Sequence, residues 1–167
     1  MRFGRERRRA LRRIRRLRLP GTPTLQDVVD AVAATRSRPI SITTRRLPLP
    51  VSGICARLEK QDVIVVDGSA PQLSQVLAVC HELAHLLCGH TPTQDSLLDD
   101  ATVSTLLPGV RPDVARAVLL GRTRYGAPLE REAEFLATRL VTLLDLRREH
   151  TGTTQISAAL AHRRQGG

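Results

Sequence analysis

The sequence is poor in aromatic residues, which make up 2% of its 167 residues, with no tryptophan, one tyrosine and two phenylalanines. Such a chain has almost no rings on which nucleic-acid bases could stack, and its core must come from leucine, valine, isoleucine and alanine. Cysteine is also scarce. Three cysteines, an odd number with no CxxC pair, argue against a disulfide framework and predict reduced thiols.

Long apolar runs are missing as well. No run approaches the ~20 residues that a helix needs to cross a bilayer. The first 20 residues, MRFGRERRRALRRIRRLRLP, also lack the apolar centre of a signal peptide. These features predict a cytoplasmic protein with no membrane partner.

The formal net charge of +10 is concentrated at one end. The first 20 residues hold ten arginines and one glutamate, whereas the other 147 hold 16 basic and 15 acidic residues. We therefore predict a basic arm over 1–21, one globular domain over 22–150 and a tail over 151–167. The arm can form a helix over 5–19. Its arginines, within 2–18, either face solvent or contact nucleic acid or an acidic partner.

Hydrophobic periodicity and turn residues predict the elements of the domain. In chain order these are a helix over 25–36, a strand over 40–44, a hairpin formed by 53–58 and 62–66, a helix over 72–88, a loop over 90–111, a short helix over 112–120 and a long helix over 128–149. Thr24 is the expected N-cap of the first helix. Ser69 or Ser74 could cap the 72–88 helix, and Gly89 is its expected C-cap.

The 72–88 helix contains the sequence His81-Glu82-Leu83-Ala84-His85. Residues i and i+4 share one helical face, so the two imidazoles can converge on one metal ion. Glu82 lies too far round the helix to replace a histidine, but it can reach a metal-bound water and act as the catalytic base. HExxH on a helix is the zinc metalloprotease pattern. The alternative is that both histidines are ordinary helix residues.

A third ligand is expected from the long helix, which carries three glutamates in one run. Glu130 and Glu134 lie one turn apart on one face, and Glu132 lies on roughly the opposite side. We assign Glu130 to the metal and predict that Glu134 hydrogen-bonds a histidine ligand. The assignment of these two can be reversed on sequence grounds. Each could also be a solvent-facing acid favoured by the helix dipole, which we expect of Glu132.

Other residues near the motif have weaker claims. His90 could be a surface loop residue, a substrate-binding donor or a rival ligand, and we expect it at the surface. The spacing after His85 does not fit the HExxHxxGxxH pattern, which favours a glutamate as the third ligand. Cys80 and Cys88 are expected to be buried structural thiols. Tyr125 could donate a hydrogen bond to an oxyanion.

The stretch VIVVDGSAPQLSQVLAVCHELAHLLCGH, followed by EREAEFLATRLV, resembles the ImmA/IrrE family of metallo-endopeptidases over roughly residues 53–144. The resemblance implies that His81, His85 and Glu130 bind Zn²⁺ and that Glu82 activates water. It also implies a protein substrate, since many such proteins cleave or inactivate a helix-turn-helix repressor. The sequence departs from the family at Ala84, where glycine is common, and at Glu134, where asparagine or aspartate is usual.

We expect an α+β, zincin-like fold in which a small sheet of about three strands, antiparallel or mixed, packs against the HExxH helix and a second ligand-bearing helix. A substrate strand could then add to the sheet edge beside that helix. The expected activity is zinc-dependent hydrolysis of a peptide bond in a cytoplasmic protein. Two alternatives remain: a metal-containing regulatory module that binds a partner protein or DNA, and a structural metalloprotein without turnover.

Overall fold

The computed structural model describes residues 2–47, 51–57, 60–90 and 126–144. Within these residues the elements are α1 (Arg2–Arg16), α2 (Leu25–Arg36), β1 (Ile40–Arg45), β2 (Gly53–Arg57), β3 (Asp62–Asp67), α3 (Gln72–Cys88) and α4 (Ala127–Leu143). None of these helices is both long enough and apolar enough to cross a membrane. The predicted helix over 112–120, Tyr125 and the 151–167 tail lie outside the described residues.

The three strands form one mixed sheet with β3 in the centre. β2 pairs antiparallel with β3, which confirms the predicted hairpin, and β1 pairs parallel with β3 on the other side. The continuous apolar run Val63–Val66 of β3 is buried throughout. Because successive side chains point to opposite faces, β3 is covered on both faces of the sheet. The predicted α+β class with a small three-stranded sheet is therefore confirmed.

Helix α2 is joined to the sheet by a buried acid. Thr24 caps the helix in a reciprocal capping box with Asp27, as predicted. Beyond its other end, Arg38 Nε donates to a carboxylate oxygen of the fully buried Asp62 at 2.9 Å, and Arg36 donates to the other oxygen at 3.1 Å. Arg36 also donates to the Leu86 carbonyl at 2.8 Å. These contacts connect α2 to β3 and to α3.

Helix α3 begins after Pro71 without a side-chain cap, so the prediction of Ser69 or Ser74 as its N-cap is wrong. Ser74 lies inside the helix, and the Ser69 backbone N–H and hydroxyl both donate to Asp67 at the end of β3. The hydrogen bonds from Ser69 hold the pKa of the Asp67 carboxyl below its ordinary value. At the other end, Gly89 adopts the left-handed conformation (φ 68°) expected of a C-cap glycine.

The core is built around α3, which packs against α2, α4, β2 and β3. Its largest fully buried side chains include Leu25, Ile64, Leu83 and Leu136, one from each of four elements. Burying each of these contributes about 1.5–3 kcal/mol. Helix α4 ends at Leu143, because Leu144 has an extended backbone (ψ 139°). It is therefore shorter than predicted.

Helix α1 lies on the body of the protein and packs against α4. Ala10 and Leu17 are buried, and Ile14 packs against the core. Arg7 lies over the ring of Phe135 on α4, 5.2 Å from its centroid. The segment predicted as a basic arm is thus a helix with one side in the core.

Candidate metal centre

The two histidines of the HExxH motif face each other across one turn of α3. Their Nε2 atoms are 3.0 Å apart and their rings are inclined by 71°. The His85 side chain is 2% exposed, and that of His81 is 32% exposed. One imidazole is therefore fixed by packing while the other borders solvent, so the site is open on the His81 side.

Glu130, in the first turn of α4, completes a three-atom donor set. Its Oε2 lies 3.3 Å from His81 Nε2 and 3.6 Å from His85 Nε2. Tetrahedral zinc with bonds of ~2.0–2.1 Å needs ligand atoms about 3.4 Å apart, and the three separations of 3.0, 3.3 and 3.6 Å lie on either side of that value. Two imidazole nitrogens and one carboxylate oxygen also suit that ion chemically. These residues form a group that could hold a metal ion.

Glu82 is beside the donor set but is not part of it. Its side chain is 5% exposed and lies on the side of α3 that faces β2. Gly53 makes this approach possible: a Cβ at that position would lie 3.2 Å from the Ala78 Cβ and 3.7 Å from the Glu82 Cγ. Among the described residues β2 is one of the two edge strands of the sheet, β1 being the other. A buried glutamate, adjacent to His81 in the chain, therefore lies close to a strand at the edge of the sheet.

A line of hydrogen bonds runs from His85 away from the donor set. His85 Nδ1 is 3.0 Å from His90 Nδ1, and His90 Nε2 is 3.3 Å from Glu132 Oε2. Glu132 in turn forms an ion pair with Arg13 of α1. Gly89 causes this arrangement, because its left-handed backbone turns the chain so that the His90 N–H bonds the His85 carbonyl at 3.1 Å.

Three sequence expectations differ from this arrangement. His90 was expected at the surface but is buried, at 9% exposure, and burial lowers its pKa. Glu132 was expected to face solvent, yet its side chain is only 16% exposed and pairs with Arg13. Glu134, the expected partner of a histidine ligand, is exposed. The carboxylate that contacts His90, on the Nδ1 side of His85, is that of Glu132.

The positions of the three glutamates follow from the buried stripe of α4. That stripe is formed by Ala133, Leu136, Ala137 and Leu140. At about 100° per residue, Glu130 and Glu132 border it on opposite sides, and Glu134 lies about 40° further out than Glu130. One helix therefore presents Glu130 to the open side of the histidine pair and Glu132 to its buried side.

A second donor set, formed by Cys88, His90 and Glu132, lies behind the first. Arg13 already occupies it, donating to Cys88 Sγ at 3.2 Å and pairing with Glu132. Burial raises the pKa of the Cys88 thiol to about 12, and that of Cys80 likewise to about 12. In this structure the guanidinium of Arg13 supplies the positive charge beside Glu132.

Two leucines extend the exposed side of α3 away from His81. Leu73 and Leu77 are 59% and 46% exposed, and they precede His81 by two turns and one turn on the same face. Both belong to the apolar three- and four-residue repeat of α3, yet neither lies in the buried core. They instead form an apolar surface that leads to the open side of the donor set.

The chain matches no model of a known protein family, no curated protein and no solved structure. The resemblance to the ImmA/IrrE family and the zincin-like fold therefore stay predictions. Sequence reasoning missed Arg13, His90 and Glu132 as members of the site. Two features of the sequence point weakly to the missed residues: His90 follows a C-cap glycine, and Glu132 is two positions from Glu130. Nothing separates Arg13 from the other arginines of the chain.

Proposed function

We propose that this protein is a zinc-dependent endopeptidase whose metal is held by His81, His85 and Glu130. The observation that carries the proposal is the convergence of these donor atoms, 3.0–3.6 Å apart, from two helices distant in sequence. Two histidines alone could share a hydrogen bond. A carboxylate brought to both of them from at least 45 positions along the chain gives the complete ligand set of a catalytic zinc site, with a position left for water.

Glu82 supplies the acid–base chemistry in this proposal. Zinc bound there would lower the pKa of a bound water and polarise the scissile carbonyl. Glu82 accepts the proton of the attacking water and passes it to the leaving amine. Its burial at 5% exposure supports this role, since a carboxylate shielded from bulk water keeps its orientation and exchanges protons mainly with the site.

The substrate we propose is an extended segment of a protein. Among the described residues β2 lies at one edge of the sheet, close to Glu82, and an extended peptide can add to a strand in that position. Leu73 and Leu77 offer apolar contacts on the same approach to His81. The family resemblance supports a helix-turn-helix repressor in the cytoplasm as the substrate protein.

Metal analysis and a peptide digest test the proposal together. Wild-type protein, His85→Ala and Glu82→Gln are compared for zinc content by mass spectrometry and for cleavage of a proteome-derived peptide library. We expect about one zinc per wild-type chain, little in His85→Ala, and zinc without cleavage in Glu82→Gln. A wild type that binds no divalent metal, or that binds zinc and cleaves nothing in the library or in candidate repressors, would contradict the proposal.

The alternative, a DNA-binding regulatory module, is favoured by the outer side of α1. Arg8, Arg12 and Arg15 are exposed there, on the side of the helix opposite Ala10 and Leu17. If these arginines neutralise DNA phosphates, replacing all three by glutamine should reduce the salt slope of DNA affinity by about 0.9 for each phosphate left without its cation. DNA affinity that is high, steep in salt and unaffected by Glu82→Gln would favour this alternative over the peptidase.

A further inference from the structure

Helix α1 is connected to the candidate metal centre through three consecutive polar contacts. Arg13 pairs with Glu132, Glu132 Oε2 lies 3.3 Å from His90 Nε2, and His90 Nδ1 lies 3.0 Å from His85 Nδ1. His85 Nε2, the other nitrogen of the same ring, is the one that faces His81 and Glu130. The series of contacts therefore ends at Nδ1 of His85, the ring nitrogen opposite the one proposed to bind the metal.

The donor and the acceptor of each hydrogen bond follow from the carboxylate of Glu132 at one end of the series and the imidazole of His85 at the other. Glu132 meets the guanidinium of Arg13 as a carboxylate, which can only accept hydrogen bonds, so His90 donates from Nε2. A neutral imidazole that donates at one nitrogen accepts at the other, so His85 must donate from Nδ1 to His90 Nδ1. His85 is then left with an unprotonated Nε2. That tautomer is the one in which Nε2 can bind a metal.

We propose that Arg13, Glu132 and His90 are positioning residues that hold His85 in its metal-binding tautomer and orientation. The inference rests on the metal centre proposed above and assigns the supporting role to Glu132 rather than to Glu134. Metal-binding histidines commonly donate their second ring nitrogen to a carboxylate, directly. In this protein a second imidazole lies between the two. As a consequence, α1 is part of the metal centre.

Zinc affinity tests the inference without any peptide substrate. Dissociation constants are measured by chelator competition for His90→Phe, Glu132→Ala and Arg13→Gln. The matched controls are Arg12→Gln, an exposed neighbour on α1, and Glu134→Gln on α4. Loss of such supporting groups typically weakens metal binding about 10–100-fold. We expect that loss for the first two variants, a smaller one for Arg13→Gln, and changes within about twofold for the controls.

A buried substitution can also weaken zinc binding by loosening the fold, so a second readout is needed. The tautomer of each histidine is read from the ¹⁵N shifts of its ring in the zinc-loaded and metal-free wild type. We expect His85 to carry its proton on Nδ1 and His90 on Nε2 in both forms. Glu132→Gln, which keeps an acceptor oxygen, should retain more zinc affinity than Glu132→Ala at equal thermal stability.

Several outcomes would overturn the inference. These are His90→Phe binding zinc as tightly as the wild type, His85 protonated on Nε2, or Glu134→Gln weakening zinc binding as much as Glu132→Ala. A second zinc ion that is lost on replacing Cys88 would show that the rear donor set binds metal itself, which also refutes the positioning role. If zinc binding and tautomers behave as expected but no peptide is cleaved, the positioning role stands and the peptidase proposal fails.

Discussion

Replacing Glu82 by glutamine removes one proton acceptor and leaves the packing around it nearly unchanged. The side chain is 5% exposed and lies against β2 where Gly53 allows the two elements to approach. Glutamine has nearly the same volume, so no cavity forms and β2 should keep its place. The substitution also leaves all three proposed metal ligands intact. It therefore isolates proton transfer from metal binding and from folding.

The expected loss can be estimated from the role of a general base. A positioned base contributes about 10²–10⁴-fold to rate, or about 3–5 kcal/mol of activation free energy. Solvent cannot easily replace it, because Glu82 is buried and the site opens on the side of His81. We expect the cleavage rate of Glu82→Gln to fall by at least 100-fold and its zinc affinity to change by less than about threefold.

The assay measures initial rates on peptides identified in the library digest, together with zinc content. Asp30→Asn serves as the control, because it makes the same carboxylate-to-amide change at an exposed position on α2. A Glu82→Gln protein that still cleaves within tenfold of the wild type would refute the assignment of the base. A variant that loses its zinc would refute the reasoning that Glu82 lies outside the ligand set.

Two further predictions concern stability. Asp62→Asn should lower the free energy of unfolding in urea by about 3–5 kcal/mol, because it leaves Arg36 and Arg38 without the buried carboxylate they share; a loss below about 1 kcal/mol would contradict this. Asp67 has a lowered pKa in the folded protein, so its contribution is present above its unfolded pKa of about 3.9 and is lost as pH falls through the lower folded value. The stability difference between the wild type and Asp67→Asn should therefore shrink as the pH is taken from 6 to 2, and a difference that grows towards acid pH would oppose this assignment.

The elements of the fold were largely readable from local sequence, whereas their partners were not. Turn residues at 59–61 between two β-rich runs predict an antiparallel hairpin, and that pairing is local. The parallel pairing of β1 with β3 brings Ile40 beside Asp62 although β2 lies between the two strands in the chain, and no local sequence pattern predicts that pairing. The continuous apolar run of β3 did indicate where this strand lies, because only a strand that is covered on both faces of the sheet needs such a run.

The residues of the candidate site likewise fall into those that local sequence predicts and those that it does not. His81, Glu82 and His85 were predictable because one helical turn fixes their mutual geometry. The roles of the three α4 glutamates depend on which stripe of that helix is buried, and it is the burial of Ala133 and Leu136 that turns Glu132 inward. Arg13 and His90 join the site through contacts between distant segments, and the sequence pattern of neither segment shows them.

Helix α1 has an exposed arginine side and a buried side, and an experiment on its function must change one side without the other. Deleting residues 1–19 would remove an exposed arginine surface, but it would also remove the buried Ala10 and Leu17 and the Arg13 ion pair with Glu132. We expect the shortened chain to unfold at lower urea concentration and to bind zinc more weakly, whether or not the protein binds DNA. Only substitutions confined to the exposed side, such as Arg12→Gln, separate the two effects. If the deletion leaves zinc affinity and stability unchanged, α1 is a dispensable arm and its packing on α4 has no energetic weight.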